Sequence, residues 1–245
     1  MDEEESGPRQ RAAETKRRRT RESIVNGTID LFKDQEHGDY TLGQIAEEAG
    51  VGTATIVNNF GTKYEVLRTA HDRLLAPIIE PITAGAENGT YKPKDGVDEL
   101  IRYIYAIAKM CQQHQALTVA MIRAYFEQTS DGTLDLGSFI TKGLHPILMA
   151  PPFIPGEGVD AAIHIFSQAG TRRGAFNHRY HTWALMMTLY HGTANDEPSR
   201  VAEFACSQML AAALPEVDPR DLSARLPRIK EKVDGWFERR ENQEI

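Results

Sequence analysis

An all-α fold follows from three features of the 245-residue chain. Apolar residues recur at helical spacing through most of it, the Val/Ile/Thr alternation of strands is absent, and short Gly and Pro turns separate the periodic runs. The expected organisation is a basic flexible tail at 1–19, a compact four-helix unit at 20–76 and a longer helical bundle at 77–245.

The first helix starts near Thr20, where Ile24, Val25, Thr28, Ile29 and Phe32 share a face, and it stops at His37-Gly38-Asp39. Thr41 followed by Gln44 is a capping box, with Tyr40 and Ile45 as its hydrophobic staple, so a second helix opens at Leu42. Gly50 ends it. Thr53 begins a short polar helix whose one strongly apolar central position is Ile56, ending at Phe60-Gly61. Thr62 with Glu65 gives a second capping box, and Val66, Leu67, Ala70, Leu74 and Leu75 line a fourth helix.

Pro77, Pro81, Gly85, Gly89, Pro93 and Gly96 argue against long regular structure over 77–96 and mark a domain boundary. Beyond it, Leu100, Tyr103, Ile104, Ile107, Ala108 and Cys111 fit one helix face, and 117–128 is apolar nearly all round. Further helices are expected over 134–149, 159–170, 180–192 and 199–214. A last stripe joins Leu222, Leu226, Ile229, Val233, Trp236 and Phe237, with Pro227 expected to begin a new helix rather than continue one.

With 28 Lys and Arg against 35 Asp and Glu, the net charge is −7, which argues against nonspecific affinity for nucleic acid. The charge is unevenly placed. Residues 9–21 hold Arg9, Arg11, Lys16, Arg17, Arg18, Arg19 and Arg21 against Glu14 alone, a segment of +6, whereas residues 22–75 sum to −5 from four bases and nine acids. The acidic opening Asp2-Glu3-Glu4-Glu5 reads as a cytoplasmic start, and no segment is apolar enough to span a bilayer. Cys111 and Cys206 alone cannot build a disulfide framework or a Cys-rich zinc site.

The two short helices around Gly50-Val51-Gly52 form a helix-turn-helix, whose second helix can enter the DNA major groove while the first braces it. Ile45, Ala46, Ala49, Val51, Ile56 and Phe60 are its buried set, leaving Thr53, Thr55, Asn58 and Asn59 outward, where hydroxyls and amides reach base edges or phosphates. A capped αα-hairpin that is only a piece of a bundle is the plainer alternative.

The run from Thr41 to Leu67, with Ile45-Ala46, Ala49-Gly50-Val51, Thr55, Phe60 and Lys63 in register, resembles the N-terminal domain of TetR-family transcriptional regulators over about residues 20–75. The resemblance implies base contacts from Thr53, Ala54, Val57 and Asn58, and phosphate contacts from Thr41, Thr55, Asn59 and Lys63. Val57 and Asn59 stand where the family usually has Tyr and His, so its operator preference does not transfer. Lys63 also suits a phosphate physically, in the first turn of a helix. The run Arg17, Arg18, Arg19 and Arg21, within Lys16–Arg21, reads either as a mobile arm that tracks phosphates or enters a minor groove, so that removing residues 1–19 weakens binding to all sequences, or as a solvated charge run.

Since one such unit covers few base pairs, a homodimer on a palindromic double-stranded operator is expected, with half-sites roughly 34–36 Å apart. The resemblance places the dimer interface on the last two core helices, with Trp183, Leu185, Leu189, Val201, Ala202, Ala205, Met209 and Ala212 as candidates beside a plain core role. It also implies an effector pocket in a C-terminal ligand-binding and dimerisation domain. The aromatic and Met-rich surface Tyr103, Met110, Met121, Tyr125, Phe126, Phe139, Phe166 and Met186, interspersed with His114, Arg123 and His145, suits a largely apolar small molecule, although such stripes also build ordinary cores.

His178 and His181 lie three apart without a carboxylate or cysteine at ligand spacing, so no metal or other cofactor is expected. The leading expectation is a ligand-released repressor without catalysis. A helical enzyme or carrier is the rival, but Gly-x-Ser-x-Gly, His-Glu-x-x-His and phosphate-binding Gly-Lys loops are all absent. A ligand-independent activator is the third reading.

Overall fold

The structure, a computed structural model, describes residues 8–33, 40–128, 138–151, 185, 187–213 and 218–242. It is all-α: among these residues there is no strand. Contacts divide the chain into two units, one drawn from Met1–Leu74 and Ala116–Gly132, the other from Leu75–Gln115 and Thr133–Ile245. The N-terminal unit therefore takes in a later segment that the sequence reading puts in the C-terminal body.

In the first unit α1 spans Pro8–Lys33, so the described part of the expected flexible tail is helical instead. The physical reason is continuity. Ile24, Val25, Thr28 and Phe32 anchor the second half of α1 in the core, and a helix already nucleated needs only propagation through Arg, Lys, Ala and Glu, all good formers. Pro8 suits a first turn, where no amide donor is needed.

Helix α2 (Leu42–Glu48) has the expected capping box on Thr41, and Tyr40 before it stacks edge-on against Phe32 of α1 with ring centroids 4.8 Å apart. Gly50 ends α2 at φ +66°, in the left-handed region that a side chain resists. The Val51 amide then donates to the Ala46 carbonyl at 2.9 Å and the Gly50 amide to Glu47 at 3.1 Å, a Schellman ending. Helix α3 (Thr53–Phe60) follows at once.

Helix α4 (Lys63–Glu87) runs through Pro77 and Pro81, correcting the expected irregular stretch from Pro77. Each proline removes one backbone bond. The residues losing a donor are Arg73, which is exposed, and Pro77, which is half-buried, while Ile78, Ile79 and Ile82 bury the opposite side. Helix α6 (Gln115–Gln128) brings Tyr125 against Tyr64 of α4, ring centroids 5.7 Å apart, which is why residues 116–128 group with the first unit.

The second unit is organised on α5 (Gly96–Gln113), capped by Asp95, whose carboxylate accepts from the Val97 and Asp98 amides at 2.9 and 3.1 Å. Helix α7 (Ser138–Leu148), helix α8 (Pro198–Ala213) and helix α9 (Pro219–Glu241) all pack on α5, and residues 187–192 are also helical. Pro227 lies inside α9 instead of starting a new helix. Burial of Leu222, Leu226, Ile229, Val233 and Phe237 along one stripe, at roughly 1.5–3 kcal/mol per side chain, exceeds the roughly 3 kcal/mol cost of the proline. The expected helix over 159–170 lies outside the described residues. No helix among those described is long and apolar enough to cross a membrane.

Ion pairs fix α9 to α5. Arg225 binds Asp95 at 2.6 Å and Asp98 at 3.0 Å, and Asp234 takes Lys109 at 2.6 Å, Lys230 at 2.5 Å and the Tyr105 hydroxyl at 2.9 Å. Burial alone would raise the Asp234 carboxyl, but those hydrogen bonds override it and hold it down to about 2. A depressed folded-state pKa stabilises above the unfolded value and loses that effect as pH falls through the folded one. Asp234→Asn is therefore expected to cost about 1–2 kcal/mol at neutral pH, allowing for solvent screening. Urea midpoints of variant and wild type should converge between about pH 5 and pH 2; a gap that persists at the acid end would refute the charge account.

Candidate nucleic-acid interface

The two-helix unit of α2 and α3 is held from behind by α1 at three points. Ser23 Oγ donates to the carbonyl of Ala49, which closes α2, at 3.1 Å. Gly27 lies against the same residue, and a Cβ there would stand 3.0 Å from Ala49 Cα. Arg21 donates through Nη1 to the Asn59 carbonyl, and its guanidinium carbon sits 4.1 Å from the centre of the Phe60 ring. Carbonyls near the end of a helix lack amide partners and carry the negative end of its dipole. The cation thus closes α3 and stacks on its last aromatic ring.

Helix α3 is rooted by Ile56 and Phe60, its two buried residues. Thr53, Ala54, Val57 and Asn58 are all exposed, the four positions the resemblance assigns to bases. Val57 is an aliphatic side chain 45% open to water beside an exposed amide. That pairing can meet a thymine methyl and an adenine edge. Gly52, the residue before α3, has no side chain with which to cap it.

The expected phosphate set is less uniform. Thr41 is exposed, but its hydroxyl takes part in the capping box, 3.3 Å from the Gln44 amide. Lys63 opens α4, and Thr62 beside it accepts the Glu65 amide at 3.2 Å. The Glu65 carboxylate pairs with Arg68 at 2.7 Å. Asn59 is turned inward: its Nδ2 donates to the Thr55 carbonyl at 2.8 Å and its Oδ1 is buried without a hydrogen-bond partner. Thr55 is half-buried. Arg21 is likewise committed to α3 in place of the arm to which the sequence reading assigns it, whereas Arg17, Arg18 and Arg19 are exposed on α1.

The effector candidates are divided between the two units. Tyr103, Met110, His114 and His145 belong to the second unit, and Met121, Arg123, Tyr125 and Phe126 to the first. Tyr103 is fully buried, with its hydroxyl donating to the Ile140 carbonyl at 2.6 Å, and Met110 and Met121 are buried too. Arg123 and Phe126 are exposed. His145 lines an open cleft of about 440 Å³ with Tyr91, Lys92, Pro93, Pro146 and Met149. Phe139 lies on α7, but its side chain, like Phe166, Met186, His178 and His181, falls outside the described residues. Among those described, no group of three His, Cys, Asp or Glu could hold a metal ion.

Of the dimer candidates, Leu185, Leu189, Val201, Ala202 and Ala205 are buried within the chain itself. Trp183 and the side chain of Ala212 fall outside the described residues, and α8 packs on α5 and α9. Met209 is half-buried, and Phe204, which the sequence reading missed, is 54% exposed. Its signal was available, since Phe204 falls off the Val201-Ala202-Ala205 face. The inward roles of Arg21, Ser23 and Gly27 were harder to see, because a basic run hides its last member. Comparison with family models, with curated proteins and with solved structures gives no match for this chain.

Proposed function

We propose that the chain is a sequence-specific, DNA-binding transcriptional regulator of the TetR type, in which α2 and α3 are the helix-turn-helix and α3 is the reading helix. The observation that carries this is α3 itself, a polar helix rooted by Ile56 and Phe60 with Thr53, Ala54, Val57 and Asn58 in water. Those four positions share one side of α3, and α1 holds the helix from behind through Ser23, Gly27 and Arg21. Lys63, in the first turn of α4, fits a flanking phosphate.

The working form is a cytoplasmic homodimer, because half-site recognition needs two reading heads. The second copy would use exposed Phe204 and neighbouring Met209 rather than the residues α8 spends on its own core. The regulator is a repressor released by a largely apolar small molecule. The cleft beside His145 has a volume within the range such ligands occupy. Effector and operator must then oppose each other reciprocally, since a ligand shifts the protein only through unequal affinity for its two states.

The test is a gel-shift assay on duplexes flanking the chain's own coding region, with and without candidate effectors. Retardation of a specific duplex, relieved by an effector, supports the repressor; retardation indifferent to every effector favours a ligand-independent regulator, and no retardation at low salt removes the reading. Asn58→Ala is expected to weaken the specific duplex about tenfold while leaving mixed-sequence binding unchanged, as loss of a base contact worth about 1–3 kcal/mol requires. Equal losses on both duplexes would mean that Asn58 reads no base.

A further inference from the structure

We propose that the N-terminal half of α1, Pro8 to Thr20, is a second nucleic-acid surface: a helical rod that lies along duplex phosphates, fixed in direction by its continuity with the Arg21 clamp. The inference builds on the DNA-binding reading above and assigns a separate surface, partner chemistry and conformational state. Every residue from Arg9 to Arg19 is exposed, so the rod has no packing role of its own. It carries Arg9, Arg11, Lys16, Arg17, Arg18 and Arg19 against Glu14, a net +5 on a chain of net −7. Their spacing distributes the cations around the whole helix.

The same residues make the rod electrostatically unfavourable when alone. Its first turn holds no acid, although the positive end of a helix dipole favours acids there and disfavours Arg9 and Arg11. Arg18 faces Glu22 at 3.8 Å across open solvent, and among the described residues no carboxylate pairs with the other five cations. The Thr15 and Thr20 hydroxyls turn back to the Arg11 and Lys16 carbonyls at 2.8 and 3.0 Å, leaving the charges as the rod's outward chemistry. A polyanion removes the repulsion and neutralises the helix end together. Membrane insertion lacks a hydrophobic face, because Ala12 and Ala13 are the only apolar residues between Arg9 and Arg19.

Direction comes from the clamp. Arg21 lies one turn beyond Arg17 on the same helix and is bound to the end of α3. The rod therefore points from a fixed place relative to the reading helix, as a flexible arm would not. The acids Asp2, Glu3, Glu4 and Glu5 precede it in sequence, so a chain lacking residues 1–7 is expected to bind duplex more tightly.

The probe is a mixed-sequence DNA duplex of roughly 30 base pairs, about three helical turns, titrated by fluorescence anisotropy across a salt series with the full chain. Arg17→Gln, Arg18→Gln and Arg19→Gln together are expected to lower the slope of log affinity against log salt by about 3 per chain, from about 0.9 per phosphate. Ala12→Gly, Ala13→Gly and Thr15→Gly keep every charge and weaken the helix; they should reduce affinity roughly tenfold. Far-UV circular dichroism should show the free wild type more helical than the glycine chain, with little further helicity gained by wild type on duplex addition.

An unchanged slope in the glutamine chain overturns the rod while leaving the α3 reading intact, provided Asn58→Ala still loses its specific duplex. Equal affinity of the glycine chain and wild type means a flexible arm and also overturns it. Tighter, Arg17–Arg19-dependent binding to vesicles rich in phosphatidylserine than to the duplex assigns the surface to lipid and sinks the proposal. Should the wild type bind no duplex at low salt, the rod and the regulator reading fall together.

Discussion

Ile56→Ala is expected to remove about 3 kcal/mol of stability from the N-terminal unit, within the range of about 2–5 kcal/mol for truncating a fully buried aliphatic side chain. Ile56 is 1% exposed, and the eight residues of α3 bury only it and Phe60. The cavity cannot be refilled cheaply, because α1 fixes both ends of the two-helix unit through Ser23 and Arg21. Its neighbour supplies the control: Val57, 45% exposed, should lose less than about 0.5 kcal/mol on truncation to alanine. Trp236 lies on α9 in the other unit, so its fluorescence does not report α3. Amide hydrogen exchange within α2 and α3 is the suitable measurement. Exchange in Ile56→Ala as slow as in wild type would mean that α3 is held by something other than its buried face.

What the sequence disclosed here was local chemistry, and what it concealed was context. The Thr41–Gln44 capping box, the Gly50 turn and the exposure of Thr53 and Asn58 are each decided within a few residues, so spacing alone reveals them. The course of α4 through Pro77 and Pro81 is decided by Ile78, Ile79 and Ile82 finding a core, which no local propensity reports. Continuation of α1 to Pro8 had the same cause, since good helix formers without an apolar face look like a tail until an anchored helix extends into them. The packing of Arg21 on α3 was hidden for a related reason. A guanidinium within a basic run is indistinguishable from its neighbours until Phe60 is brought beneath it. The alanines of α8 are spaced for close approach, and within the chain α8 packs on α5 and α9.

Gly143→Ala is expected to be about as costly, near 3 kcal/mol, through overpacking rather than a cavity. A Cβ at 143 would stand 2.4 Å from Tyr103 Oη, 2.7 Å from Cζ and 2.8 Å from Cε2. The ring cannot swing clear, being fully buried and tied to the Ile140 carbonyl at 2.6 Å. Removing the hydroxyl with Tyr103→Phe should give little rescue, since two ring carbons still collide, whereas Tyr103→Leu should recover much of the loss. Such a pair in contact ought to show coupling of about 0.5–3 kcal/mol in a double-mutant cycle. Urea unfolding followed by Trp236, on α9 of the same unit, measures it. The result also bears on the effector. A ligand lining needs room to move, and an alanine tolerated at 143 with the melting midpoint unchanged would show that Tyr103 has it. In that event the packing account of Tyr103 fails and a pocket beside it becomes the better explanation of the residue.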